Sequence, residues 1–401
     1  MSSDDLNAFN GSGLLPKGGP PHEAYLDNNA TTALLSEVRN AIVSGLDAFY
    51  GNPSSRHQPG AAARRMVEAA RVDIARALRA RHPSEIIFTS CATESIAQAF
   101  RSAVAAERQI IHGAADHNAV FDSALRASST RVVVSVGPEG RVCRSELLDA
   151  LAAAPSFVSI TLVNNETGVL EDVAAIAKAC RRAGALLHVD AAQAVGRVEI
   201  DLRSLDCDYA SFSPHKFHGP KGVGLLYARR GAPRAALIGG HQQEGLRGGT
   251  ENVTGIIGAG VAVAMAVHSG GMADFVRRQR DRLEQALLKS IPGATVNGAL
   301  ADRAPNVTNI CFPGRNAGDL VAALSRRGVY VSAAAACSTG GQPSHVLCAM
   351  GLEHRANSSV RFSLSRFTTP PEVDYAVDQV RAVVAASLPL ADPRGRLERT
   401  R

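Results

Sequence analysis

The chain has 401 residues, 45% hydrophobic and 20% charged. That length fits two domains or one large α/β unit, and the composition excludes a mainly disordered chain. A net charge of +6 is mild over this length; it suits phosphate ligands or an acidic protein partner and gives no ground for nucleic-acid binding.

Residues 1 to about 22 are rich in Gly, Ser and Pro and read as a flexible arm. They carry acids early and no apolar core of signal-peptide length. From Tyr25 onward, β-rich runs alternate with helical stretches. The predicted strands are Ile86–Phe88, Ile110–Ile111, Arg131–Val134, Phe157–Val163 and Ala185–Val189. The predicted helices are Gly60–Leu78, Thr93–Glu107, Asn118–Ala127, Ser145–Ala153 and Asp172–Ala183. This alternation predicts a mostly parallel sheet with helices on both faces. The most apolar stretch, Gly255–Val267, is too short to span a bilayer. Beyond it the pattern becomes α+β: helices at Phe275–Ser290, Gly318–Arg327 and Pro371–Ala386, with strands at Asn306–Phe312 and Ser358–Leu364. The expected organisation is an arm (1–22), a large domain (23–268) and a smaller C-terminal domain (269–401), with the first residues of the large domain able to pack on the small one.

Seven cysteines stand at 91, 143, 180, 207, 311, 337 and 348, widely spaced and without a Cys-x-x-Cys pair. Neither a disulfide framework nor a structural zinc site is indicated. The expectation is a cytoplasmic protein with no membrane segment.

Several segments carry possible chemistry. Lys216 sits in Ser213-Pro-His-Lys-Phe-His-Gly-Pro-Lys-Gly, a turn of small residues with two histidines beside it. Most lysines are solvated surface groups, but one partly desolvated in such a turn condenses readily with an aldehyde. Asp190, in His188-Val-Asp-Ala-Ala-Gln193, either caps the following segment or meets a cationic ring nitrogen. Thr89–Ser95 opens a helix; it is an ordinary cap or an anion site. His117 follows a strand and is a structural histidine or one that stacks on a flat cofactor and moves protons. Asn164–Gly168 is a turn or a polar contact for a ring oxygen or carboxylate. Arg361 lies on an apolar strand and needs an internal acid or a substrate carboxylate. Cys337 lies in an Ala/Gly/Ser-rich segment, where a thiolate would be nucleophilic.

Taken together, the set resembles the cysteine desulfurases, pyridoxal-phosphate enzymes of the class V aminotransferase family with the fold-type I architecture. The motifs are YLDNNATT (25–32), GNPSSRH (51–57), TSCATES (89–95), DHNAV (116–120), VNNETG (163–168), HVDAAQ (188–193), SFSPHKFHGPKGVG (211–224), GLRGGTEN (245–252), ACSTG (336–340), PSHVL (343–347) and SSVRFSL (358–364). The resemblance implies that Lys216 holds pyridoxal 5'-phosphate covalently, that Asp190 pairs with its ring nitrogen and Gln193 with its ring oxygen, and that His117 stacks on the ring. It gives Ala92, Thr93, Ser213 and His215 to the phosphate, and Thr250 to the phosphate of a neighbouring subunit, hence a homodimer. It places Asn28, Asn165 and Arg361 at the substrate, with Asn165 also on the cofactor, and makes Cys337 the persulfide-forming thiol. The implied reaction converts L-cysteine to L-alanine, with sulfur passing to Cys337 and then to an acceptor, such as an iron–sulfur scaffold protein. Ala333–Ala335 replace the family's Ser-Gly-Ser before the cysteine, the segment from Cys337 to Pro343 is one residue shorter than usual, and Cys91 replaces a glycine. Another enzyme of the same fold, an aminotransferase or a selenocysteine lyase, is the alternative, and Cys337 argues against a simple aminotransferase. Lys216, Asp190 and His117 argue against a non-enzymatic scaffold.

Overall fold

A computed structural model of the chain describes residues 23–127, 130–268, 272–333 and 343–387. The expected N-terminal arm, the run Ala334–Ala335 and Cys337 lie outside these residues.

Seven strands form the main sheet: β2 (Ile86–Thr89), β3 (Gln109–Gly113), β4 (Arg131–Val134), β5 (Ser156–Thr161), β6 (Leu186–Asp190), β7 (Tyr209–Phe212) and β8 (Gly224–Ala228). Their order is β2-β8-β7-β6-β5-β3-β4. Neighbours from β7 through β4 run parallel, and β8 is antiparallel to both β7 and β2. The mostly parallel sheet expected from the strand–helix alternation is therefore present, with β7 and the reversed β8 not among the predicted strands.

Side-chain alternation decides which helices cover which face. Ile86, Phe88, Val158, Ile160, Leu187, Val189, Ala210, Phe212, Leu225 and Tyr227 join one apolar cluster. Into it pack α1 (Ser36–Ala48), α2 (Gln58–Ala77), α5 (Arg144–Ala153), α6 (Val173–Ala183) and α7 (Val253–Val267). The intervening residues Ile87, Phe157, Tyr209 and Leu226 meet α3 (Ala92–Ala105) and α4 (Asn118–Ala127) on the other face. His188 points to that second face and is fully buried, bridging Ser159 Oγ (2.9 Å) and Ser211 Oγ (2.8 Å) across three strands. Burial lowers its pKa to about 3, so it is a neutral structural residue.

A second apolar cluster gathers the C-terminal elements. It contains α8 (Met272–Ser290), α9 (Ala317–Ser325) and α12 (Pro370–Ala386), with β10 (Val307–Cys311) and β13 (Ser359–Ser363). Their small sheet has the order β12-β13-β10-β9, adding β9 (Thr295–Val296) and β12 (Ser332–Ala333). Ala24 of β1 (Ala24–Tyr25) and Leu26 pack in this cluster, because β1 pairs with β11 (Val329–Tyr330). Two short helices, α10 (His345–Ala349) and α11 (Glu353–Ala356), complete the described elements.

Candidate active site

The carboxyl ends of parallel strands form the edge where α/β folds gather ligands. Register fixes what stands there. Thr89 pairs with Gly224, and Leu225 pairs with Phe212, so the turn into α3 and Ser213 emerge on either side of β8. Thr161 pairs with Asp190, and Asp190 with Ser211, so the ends of β5, β6 and β7 are level.

Lys216 follows β7 in a single 3-10 turn. Its Nζ donates to Asn29 O at 2.6 Å and Ala30 O at 2.8 Å. Asp190 ends β6 and is 5% exposed. One of its oxygens caps the next turn at Ala192 N (3.0 Å), as the capping reading expected. Burial raises its pKa, and the charges of His117 and Lys216 act against that rise. His117 accepts from Ala119 N through Nδ1 at 3.1 Å, which leaves Nε2 to carry the ring proton. Burial lowers the His117 pKa, with Asp190 raising it and Lys216 lowering it. Amine, carboxylate and imidazole thus share one electrostatic environment.

α3 begins without a side-chain cap, because its N-cap residue is Cys91. The first N–H groups of the helix, from Ala92 and Thr93, are left at the sheet edge. His215 bonds Thr31 Oγ1 at 3.1 Å, and burial lowers its pKa to about 4. Ser213 is buried. Gln193 donates through Nε2 to Asn29 O (2.9 Å) and accepts from Arg197 through Oε1.

Arg361 is 5% exposed. It donates to Asp27 Oδ1 (2.8 Å) and Asn165 O (3.1 Å), while its buried Nε has no partner. Both sequence readings of this arginine therefore keep support: an internal acid is present, and one donor is left over. The Asn28 side chain donates to Tyr25 O (3.0 Å) and Ser363 O (2.9 Å), so it ties the start of the chain to β13. Thr250 is exposed. It lies three residues beyond Arg247, which forks onto Glu94 in the first turn of α3 at 2.8 and 3.2 Å.

Cys337 lies outside the described residues, but the chain on both sides of it is anchored at the site. Ser332 pairs with Arg361 in the small sheet. After Cys337 in the chain, Ser344 Oγ donates to Glu166 Oε2 at 2.5 Å, and His345 Nε2 bonds Asp116 O at 2.8 Å. Burial raises both Asp116 and Glu166 to about 7.

The sequence reading missed Asn29. Its carbonyl receives Lys216 and Gln193, its amide reaches Asn165 O (3.0 Å), and its Oδ1 accepts from Asn306 (3.0 Å). The available signal was Asp27-Asn-Asn directly after an apolar strand, because buried polar residues require partners.

The set combines an amine, a buried acid in its field, an imidazole and an uncapped helix start. These residues fit a ligand that carries an aldehyde, a basic ring nitrogen and a phosphate, as pyridoxal 5'-phosphate does.

Residues 24–376 match the Aminotransferase class-V family. The cysteine desulfurase of Enterobacter agglomerans is 43% identical over 371 residues, covering 90% of this chain and 92% of its own length. A solved structure of a NifS-like protein superposes with a TM-score of 0.85 at 36% identity, covering 90% of this chain and 99% of that one. The structure of SspA in complex with cysteine gives a TM-score of 0.73 at 28% identity, covering 86% of this chain and all of that one (100%). By the extent of these matches, the chain belongs to the class-V aminotransferase family, within its cysteine desulfurase group.

Proposed function

We propose that this protein is a pyridoxal-phosphate-dependent cysteine desulfurase that converts L-cysteine to L-alanine and delivers the sulfur through a cysteine persulfide. The observation that carries this reading is the convergence of Lys216, Asp190 and His117 at adjoining strand ends, in mutual electrostatic contact. The relatives' substrate fits the remaining groups.

Lys216 holds the cofactor, Asp190 its ring nitrogen, and the start of α3 with Ser213 and His215 its phosphate. When bound, the cofactor supplies an electron sink for the substrate α-carbon. Arg361 pairs with the substrate carboxylate through its unpartnered Nε, with Asn165 beside it. The amine of Lys216 takes the α-proton as a general base. His117, whose Nδ1 is taken by Ala119 N, would exchange protons through Nε2 beside the cofactor. The Cys337 thiolate attacks the substrate sulfur: the new S–S bond forms as the carbon–sulfur bond breaks, and the carbon that loses sulfur gains a proton, giving alanine. Glu166 and Asp116 hold the chain beyond Cys337 at the site through Ser344 and His345.

The sulfur acceptor in this reading is a protein thiol or an iron–sulfur scaffold. The working unit is a homodimer in which the exposed Thr250 serves the partner's phosphate site. The cytoplasmic assignment rests on the sequence; among the described residues no single helix is long and apolar enough to cross a membrane. The test is to incubate the cofactor-loaded protein with L-cysteine and measure alanine and sulfide with a reducing thiol present. Stoichiometric alanine supports the reading. Keto acid in place of alanine would make the protein an aminotransferase.

A further inference from the structure

Arg197 stands behind Lys216 and has no place in the reaction described above. Its Nη1 donates to Gln193 O at 3.0 Å and also to Gln193 Oε1. Its Nη2 donates to Lys216 O at 3.2 Å and Asn28 O at 3.4 Å. All four acceptors are uncharged oxygens. They belong to the turn after β6, the turn after β7 and the turn after β1. Those turns meet again in front, where Gln193 Nε2 and Lys216 Nζ both donate to Asn29 O. One planar guanidinium therefore brackets the three segments that hold the amine.

This is a costly place for a cation. Burial and the nearby charge of Arg361 lower the Arg197 pKa to about 9. An ammonium on a flexible stem could carry the same charge but could not reproduce a planar fork onto four oxygens.

We propose that Arg197 is a positioning residue for Lys216, fixing its backbone and the Asn28–Ala30 turn so that the amine is presented at one place to an aldehyde-bearing ligand. The inference rests on Lys216 being the reacting amine. The chain has five lysines, at 17, 178, 216, 221 and 289, so covalent capture can be assigned residue by residue. Lys178 and Lys289 are exposed and serve as references on the same molecule.

The experiment fixes pyridoxal 5'-phosphate onto full-length protein with borohydride at successive times and maps it by peptide mass spectrometry. It compares wild type, Arg197→Lys and Arg197→Met, with folding checked by thermal melting. The expected result is a rate of capture at Lys216 that falls at least ~10-fold in both variants, with capture at Lys178 unchanged, since a displacement near 1 Å costs up to ~10²-fold. In turnover, kcat should fall by a larger factor than KM for cysteine rises, because the amine is displaced while Arg361 keeps its place in β13. If Arg197→Met does not fold, Arg197→Lys, which keeps the charge, decides alone. Wild-type capture at Lys216 in a folded variant overturns the inference and leaves the proposed function intact. Wild-type protein captured elsewhere than Lys216 overturns both.

Discussion

Gly224 offers the sharpest structural test of the phosphate site. It opens β8 and faces the turn into α3. A Cβ added there would stand 2.3 Å from Cys91 C, 2.5 Å from Cys91 O and 2.5 Å from Thr89 Oγ1. Carbon contacts are comfortable near ~3.5 Å, so the Cys91 backbone would retreat by roughly 1 Å. The Thr89 hydroxyl cannot simply turn away, because it is bonded to Ser95 Oγ (2.8 Å) and Cys91 O (3.1 Å). Overpacking of this kind costs ~1–3 kcal/mol, which in a chain of this length lowers Tm by only a few degrees. The displacement falls on the first turn of α3, where N–H groups are assigned to the cofactor phosphate, and there a shift near 1 Å costs up to ~10²-fold. Gly224→Ala should therefore show a small loss of Tm and a large loss of affinity for pyridoxal 5'-phosphate. Thermal melting of the ligand-free protein and a cofactor titration measure the two. Wild-type affinity in this variant would refute the assignment of that turn to the phosphate.

Arg361→Lys should raise KM for cysteine by ~10-fold or more with a smaller change in kcat, because lysine has no donor at the Nε position and one ammonium cannot also hold Asp27 and Asn165; initial rates over a cysteine series check this. Asp190→Asn should lower turnover by ~10²–10³-fold while Tm at neutral pH is unchanged or higher, since the folded state raises the Asp190 pKa and so disfavours its charge. Glu166 adds a pH dependence. Its folded pKa of about 7 lies above the ordinary value of 4.5, so between those limits the folded state binds more protons than the unfolded one, and stability falls as pH rises. The loss is at most about 3 kcal/mol, and Glu166→Gln, which still accepts from Ser344, should make the fall of Tm between pH 5 and 8 shallower, with Asp116 supplying what remains.

The large sheet was legible because its strands are short apolar runs separated by helical periods of ordinary length. β8 and its reversed direction were not. Gly224–Ala228 follows Lys216 within a few residues, and direction comes from pairing with both β7 and β2, which no local pattern records. Helix α1 escaped for a related reason: only Val38 and Gly45 of it are buried, so its apolar period is weak. Candidates such as Asp190 and Lys216 were legible as polar groups at or just after strand ends, and the family resemblance gave each candidate an expected role. What it could not give is the wiring between them. Asn29, Asp27 and Arg197 act through backbone carbonyls and long-range pairs, and a carbonyl is the same in every residue.

The central claim is that cysteine sulfur moves onto Cys337 while alanine forms. The direct measurement is peptide mass spectrometry of the cofactor-loaded protein after a single turnover with L-cysteine, alongside alanine quantified in the same sample. The expected result is one added sulfur on the Cys337 peptide for each alanine formed, and no added sulfur in Cys337→Ala. Sulfur found on Cys91 or Cys348 and never on Cys337, or alanine formed at the wild-type rate in Cys337→Ala, would contradict the account.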